Sequence, residues 1–169
     1  MTILRRLLPL VVFTAWVVPQ AAAQSTVFVV RHAERADAGS SGGGMMASDP
    51  ELSDAGRARA AALAALLKSA NVTAIFATEY KRTQQTAAPL ARALGIQVTT
   101  VGAPATAKLP EMIRNAGGNV LIVGHSNTVP AILKALGIAT PVTIDDSEYD
   151  NLFVVTTGPQ PTMVRLRFR

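Results

Sequence analysis

Val27-Phe28-Val29-Val30-Arg31-His32-Ala33-Glu34-Arg35 is the stretch from which the fold can be read. Four consecutive apolar residues, three of them β-branched, predict a strand buried on both faces, as inside a parallel sheet. The apolar run stops abruptly at Arg31, and four ionisable residues follow within five positions. The carboxyl ends of buried strands are where an open α/β sheet forms its ligand crevice. A guanidinium beside an imidazole suits an anion held next to a nucleophile or proton carrier. A solvated polar exit from the strand is the plainer alternative, so the pattern has to be tested against the other strand exits.

The chain has 169 residues, enough for one domain with its own core. Its first 23 residues read as a secretory signal peptide: Arg5 and Arg6 precede a short apolar run, Leu7 to Val18, and Ala21-Ala22-Ala23 precedes Gln24. The run is short for a membrane span, so we expect cleavage near Ala23/Gln24 and no stable membrane insertion afterwards. The expected product, residues 24–169, is exported to a periplasm or to the medium. Its net charge is 14 − 11 = +3, because the leader takes two arginines and no acid from the 16 basic and 11 acidic residues. Arg165, Arg167 and Arg169 supply much of that excess, alternating with Leu166 and Phe168 as on a solvated strand face. With 5% aromatic residues and no basic-aromatic interleaving, nucleic acid is not an expected partner. The absence of cysteine removes disulfides, thiol chemistry and Cys-ligated metal.

Downstream, Ala38–Gly44 is a Gly/Ser-rich loop, and Asp54–Ser69 reads as a helix with an acidic start, closed by Asn71. Thr73–Ala77 is a short strand, followed by a helix that opens at Thr78–Arg82 and ends at Gly95, with Pro89 expected to kink or divide it. Ile96–Val101 is a third strand, Leu109–Ala116 a weaker helix, Asn119–Val123 a fully apolar strand, and Val129–Leu136 a helix. Leu152–Thr157 and Thr162–Phe168 form a hairpin around Gly158-Pro159-Gln160-Pro161. This alternation predicts a single α/β domain: a mostly parallel sheet, helices on both faces, and a C-terminal antiparallel hairpin at its edge.

Three strand exits carry polar groups: Arg31-His32, Glu79 to Arg82, and His125-Ser126-Asn127. In a parallel sheet they share one edge, which brings two arginines together with the chain's only two histidines. Phosphoryl transfer needs such a set. The three equatorial oxygens of the transferring group call for forked, permanently charged donors. A neutral imidazole can attack phosphorus without a separate base, and a carboxyl group must protonate the leaving oxygen.

VFVVRHAER, TEYKRTQQTA and LIVGHSNT resemble the three signature segments of the histidine phosphatase superfamily, and DPELSDAG resembles that family's approach to its first helix. Order and spacing match across residues 26–157. The resemblance implies a phosphoglycerate-mutase-like fold with His32 as the phosphorylated nucleophile, Arg31 and Arg82 as phosphate clamps, and His125 as a second histidine on the phosphoryl oxygens. Ala33 replaces the family's usual glycine, and Gly102–Ala107 lacks the acid that the mutase branch carries after its third strand. The acid candidates are therefore Asp49, which stands where short phosphohistidine-phosphatase-like members have one, then Glu79 and Glu34. Each has a structural alternative: a cap before Pro50, a pair with Lys81 or Arg82, or a partner for Arg35. Arg35, Ser126 and Asn127 are candidate phosphate or substrate contacts.

The expected activity is a phosphatase acting on a small phosphorylated substrate or a phosphoprotein, with no metal and no cofactor. A short chain without long insertions favours it over a mutase. A non-catalytic phosphate-binding module on the same fold is the alternative. Gly124-His125-Ser126-Asn127-Thr128 also resembles a nucleophile elbow, but no histidine follows Ser126, so the hydrolase order cannot be met. Two histidines with scattered carboxylates show no metal-ligand spacing. Oligomeric state is not legible.

Overall fold

The computed structural model describes residues 24–37, 49–102 and 107–169. The leader and the Gly/Ser-rich loop lie outside these residues. The elements in chain order are β1 (Thr26–Arg31), α1 (Asp54–Leu67), β2 (Val72–Ala77), α2 (Lys81–Leu94), β3 (Val98–Thr100), α3 (Leu109–Ala116), β4 (Asn119–Gly124), α4 (Thr128–Ala135), β5 (Asn151–Thr156) and β6 (Thr162–Arg167). One six-stranded sheet runs in the order β3-β2-β4-β1-β5-β6. The first four strands in that order are parallel, and β5 runs antiparallel to both β1 and β6.

Successive side chains of a strand point to opposite faces, and here both faces are covered. Val27 and Val29 pack with Val120 and Ile122 under Leu109, Ile113, Ile132 and Leu133 of α3 and α4. Phe28 and Val30 pack with Leu121 and Val123 under Leu63, Leu67, Ala87 and Leu90 of α1 and α2. This explains why β1 and β4 read as unbroken apolar runs rather than as alternation. The parallel register sets Arg31 beside Gly124 and Ala77 beside Val123, so the exits of β2, β4 and β1 are immediate neighbours.

Three local expectations are corrected. Pro89 does not divide α2, which is continuous from Lys81 to Leu94; Pro89 and Gln85, whose usual helical donor it removes, are both only half-buried. The third strand is cut to Val98–Thr100, as befits an edge strand paired on one side only. Arg165 and Arg167 do not form a merely solvated face. Arg165 bonds Asn151 and Glu148, and Arg167 bonds Asp150 and Glu148. Between them, Leu166 is exposed, while Phe168 packs against the core face of α1 and α2.

The start of α1 is fitted tightly to the loop that leaves β1. Ser53 caps the helix by accepting from Gly56 N–H, and its own N–H donates to the Glu34 carbonyl at 2.9 Å. A Cβ on Gly56 would lie 2.2 Å from that same oxygen. Gly→Ala inside a helix ordinarily stabilises by roughly 1 kcal/mol. Here the sign should reverse: Gly56→Ala should destabilise the protein by about 1–3 kcal/mol in urea unfolding, through overpacking. Equal or higher stability would contradict the contact.

Candidate active site

Arg31 is the last residue of β1 and is 6% exposed. Its Nη1 donates to the carbonyls of Asp145, Asp146 and Glu148 at 2.8, 3.0 and 3.2 Å, and its guanidinium lies 4.2 Å from the centre of the Tyr149 ring. One nitrogen is thus saturated by backbone. Among the described residues, Nε is buried without a hydrogen-bond partner, and Nη2 has only the Asp146 carboxylate, 3.7 Å away. The free edge, Nε with Nη2, is the fork that matches two oxygens of an oxyanion.

His32 continues the β1 ladder past the strand end, its N–H donating to the Gly124 carbonyl at 2.9 Å. Its Nδ1 lies 2.7 Å from the Ala33 carbonyl, which only accepts, so Nδ1 carries the proton and Nε2 keeps its lone pair. Thr86 of α2 accepts the next amide, Ala33 N–H, at 2.9 Å, clasping the exit loop to that helix. Burial pushes the His32 imidazole down to about 3; the Ala33 hydrogen bond opposes this, and His125, Arg31 and Arg82 add to it. It is neutral and nucleophilic at neutral pH.

His125 follows β4, with its ring centre 5.3 Å from that of His32. Thr78 Oγ1 lies 2.9 Å from its Nε2, and Thr83 Oγ1 lies 2.9 Å from Thr78 Oγ1. The backbone N–H of His125 donates to Thr128 Oγ1 at 2.8 Å. Burial first, then Arg82, lowers its pKa to about 4, with Glu79 opposing. Arg82, in the first turn of α2, rests over the Tyr80 ring at 4.3 Å, and its Nε is also buried and unpartnered. Burial and the nearby Arg35 disfavour its charge, and Asp49, 3.6 Å from Nη1, partly restores it.

Arg31, His32, Arg82 and His125 line one cleft of about 680 Å³, together with Arg35, Ser126 and Asn127. Of the three acid candidates, only Glu79 lines it. It is exposed at the mouth and forms no ion pair among the described residues. Asp49 instead accepts Lys81 N–H at 2.9 Å, capping α2 from outside the helix, where Tyr80 cannot. Glu34 turns to Arg59, which donates to both its oxygens. Burial works against its ionisation, but the Arg59 bonds outweigh this and hold the carboxyl below the usual range. Arg35 pairs with Asp37 at 3.2 Å rather than with Glu34.

Sequence reasoning missed Asp146, Ser147 and Tyr149, which complete the wall. They belong to the connection before β5, and β5 runs antiparallel to β1, so its beginning comes to the site edge. The acidic run Asp145 to Asp150 ahead of an apolar strand was the available signal. Glu148 braces this connection by accepting from Asp145 N–H at 3.0 Å and from Arg165 and Arg167 of β6. The Asp145 bond and then Arg167 hold its carboxyl below the usual range. Among the described residues, no three His, Cys, Asp or Glu side chains gather as a metal-ligand set, and no helix is long and apolar enough to cross a membrane.

The fold and this cleft define a phosphoglycerate-mutase-like α/β domain with a two-arginine, two-histidine site. The description of the histidine phosphatase superfamily, branch 1, matches residues 27–103. A protein histidine phosphatase SixA complexed with tungstate superposes with a TM-score of 0.65 at 17% identity, over 84% of this chain and 96% of that one. Phosphoglycerate mutase from Bacillus anthracis gives 0.67 at 13% identity, over 86% and 93%. A mycobacterial glucosyl-3-phosphoglycerate phosphatase in complex with inorganic phosphate gives 0.58 at 17%, over 78% and 89%. No curated protein matches the sequence. Residues 27–103 are thereby assigned to the histidine phosphatase superfamily, and the solved structures share the fold of the whole domain.

Both histidines have folded-state pKa values below the unfolded value near 6.5. Below that pH the unfolded chain binds the extra protons, so stability rises with pH in this range and is lost on acidification. Unfolding midpoints should therefore fall between pH 7 and 5, where the two histidines are the only side chains with ordinary pKa values nearby. His32→Asn and His125→Asn should each flatten the slope. An unchanged slope in both would refute the neutral-imidazole assignment.

Proposed function

We propose that this protein is an exported phosphatase that hydrolyses a phosphomonoester or a phosphoprotein through a phosphohistidine on His32. The observation that carries the reading is the pair of buried, unpartnered Nε–H donors on Arg31 and Arg82, beside a neutral histidine with a free Nε2. A buried donor left without a partner calls for one, and here the missing partner is an oxyanion. The tungstate and phosphate bound by two structurally similar proteins support the same chemistry.

In this reading the phosphoryl oxygens lie against the free edges of Arg31 and Arg82, with His125 as a further contact. His32 Nε2 attacks phosphorus in line, the P–N bond forms, and the bond to the leaving oxygen breaks. Glu79 gives that oxygen a proton. The resulting carboxylate then takes a proton from water, whose oxygen attacks phosphorus and releases phosphate and neutral His32. Transition-state charge is met by fixed guanidiniums in a site that needs no reorganisation, and no step requires a metal. A binding-only module has one observation in its favour: Glu79 has no hydrogen bond to a described residue that would orient it as an acid.

Purified protein with a chelator present should turn over p-nitrophenyl phosphate, and His32→Ala should lower kcat by about 1000-fold or more while the fold persists. Glu79→Gln should lower kcat by 100-fold or more with phosphate affinity retained. Phosphate binding without turnover in the wild type would instead select the binding module.

Residues 1–23 are proposed to direct export and to be removed near Ala23/Gln24, on the basis of their charge and hydropathy pattern. Intact mass of the protein recovered from the medium or periplasm should correspond to a start at Gln24. A Met1-led chain retained by cells would refute cleavage.

A further inference from the structure

The electrostatics of the cleft divide by depth. Arg31 lines it from a buried position and Arg82 from a half-buried one, while Glu79 and Asp146 line it from exposed ones, the Asp146 side chain being 97% exposed. Arg35 also lines the cleft but is already paired with Asp37, and Arg82 leans on Asp49. Each of the three guanidiniums thus already has a carboxylate beside it, Asp146, Asp37 or Asp49, before Glu79 is counted. Lys81, the nearest lysine in sequence, turns its ammonium toward Glu51 at 4.0 Å. Residues 38–48 and 103–106 contain no ionisable side chain, so they leave this tally unchanged.

From this arrangement we infer that the substrate is zwitterionic: a phosphate monoester whose leaving group carries an ammonium or guanidinium that meets Asp146 at the mouth. The inference rests on the phosphatase reading for the position of the phosphoryl group. A dianion seated against Arg31 and Arg82 leaves the cleft and its ligand with an excess of negative charge, which a cation on the leaving side neutralises. A second anion on the leaving group meets Asp146, whose ion-pair partner Arg31 is turned to the phosphate. Sugar-acid phosphates and nucleoside polyphosphates are disfavoured for that reason, by charge repulsion rather than by shape.

Two small esters of similar size separate the cases: 2-aminoethyl phosphate and phosphoglycolate. Their kcat/KM values on the purified protein, and their affinities for the His32→Ala protein, should favour the ammonium compound by about tenfold, less at high salt. Asp146→Asn should shrink that ratio and Asp146→Lys should invert it. A pair of phosphoserine peptides with lysine or glutamate beside the phosphoserine shows whether the cation belongs to a polypeptide or to a small molecule. A ratio near one, or in favour of phosphoglycolate, overturns the inference while p-nitrophenyl phosphate turnover keeps the phosphatase reading standing. If turnover of every ester fails, the affinities for the His32→Ala protein still decide the inference: equal binding of the two small esters overturns it.

Discussion

One backbone hydrogen bond, from His32 N–H to the Gly124 carbonyl, carries the parallel ladder of β1 and β4 one residue past the end of β1. That extension makes His32 part of the sheet rather than of a loop. Its position follows from a ladder buried on both faces, whose alternatives would leave polar backbone unsatisfied in an apolar interior. The same pairing puts His125 just beyond the neighbouring exit, and β2 on the other side of β4 brings Thr78 and Arg82. Geometry of this kind costs little to maintain at the moment of reaction, because the sheet already holds it.

Rigid elements also decide which carboxylates are free. Glu34 and Asp49 stand near reactive groups in sequence, yet each already has a stronger claim on it: a bidentate arginine in one case, a helix amide and a guanidinium in the other. Their charge serves position. Among the described residues Glu79 has no such partner, and the difference between these three acids is one of hydrogen-bond environment rather than residue type.

Much of this was legible in the residues themselves. Apolar runs ending in Arg31-His32, Thr78-Glu79 and Gly124-His125 state both the buried strands and the common edge, because a parallel sheet admits one arrangement of exits. The wall built by Asp146, Ser147 and Tyr149 was hidden, because its strand runs the other way and only its beginning reaches the edge. The arginines of β6 misled for a related reason. Alternation in a strand tells which residues share a face, but not that a preceding loop will fold back and present Glu148 to them. Pro89 shows the limit of local rules: burial of the neighbouring Leu90 and Ala87 outweighs one missing helix bond.

The brace on Arg31 has a bearing on how the protein is made. Its carbonyl partners come 114 to 117 residues after it in the chain, and the arginines that hold Glu148 come later still. On the ribosome β1 emerges early, whereas the wall that braces Arg31 is completed only when β6 has been synthesised. A nascent chain can therefore carry both histidines, Arg31 and Arg82 and still lack an ordered cleft. Closing so long a loop is entropically slow, which ties the ordering of the cleft to the synthesis of β6.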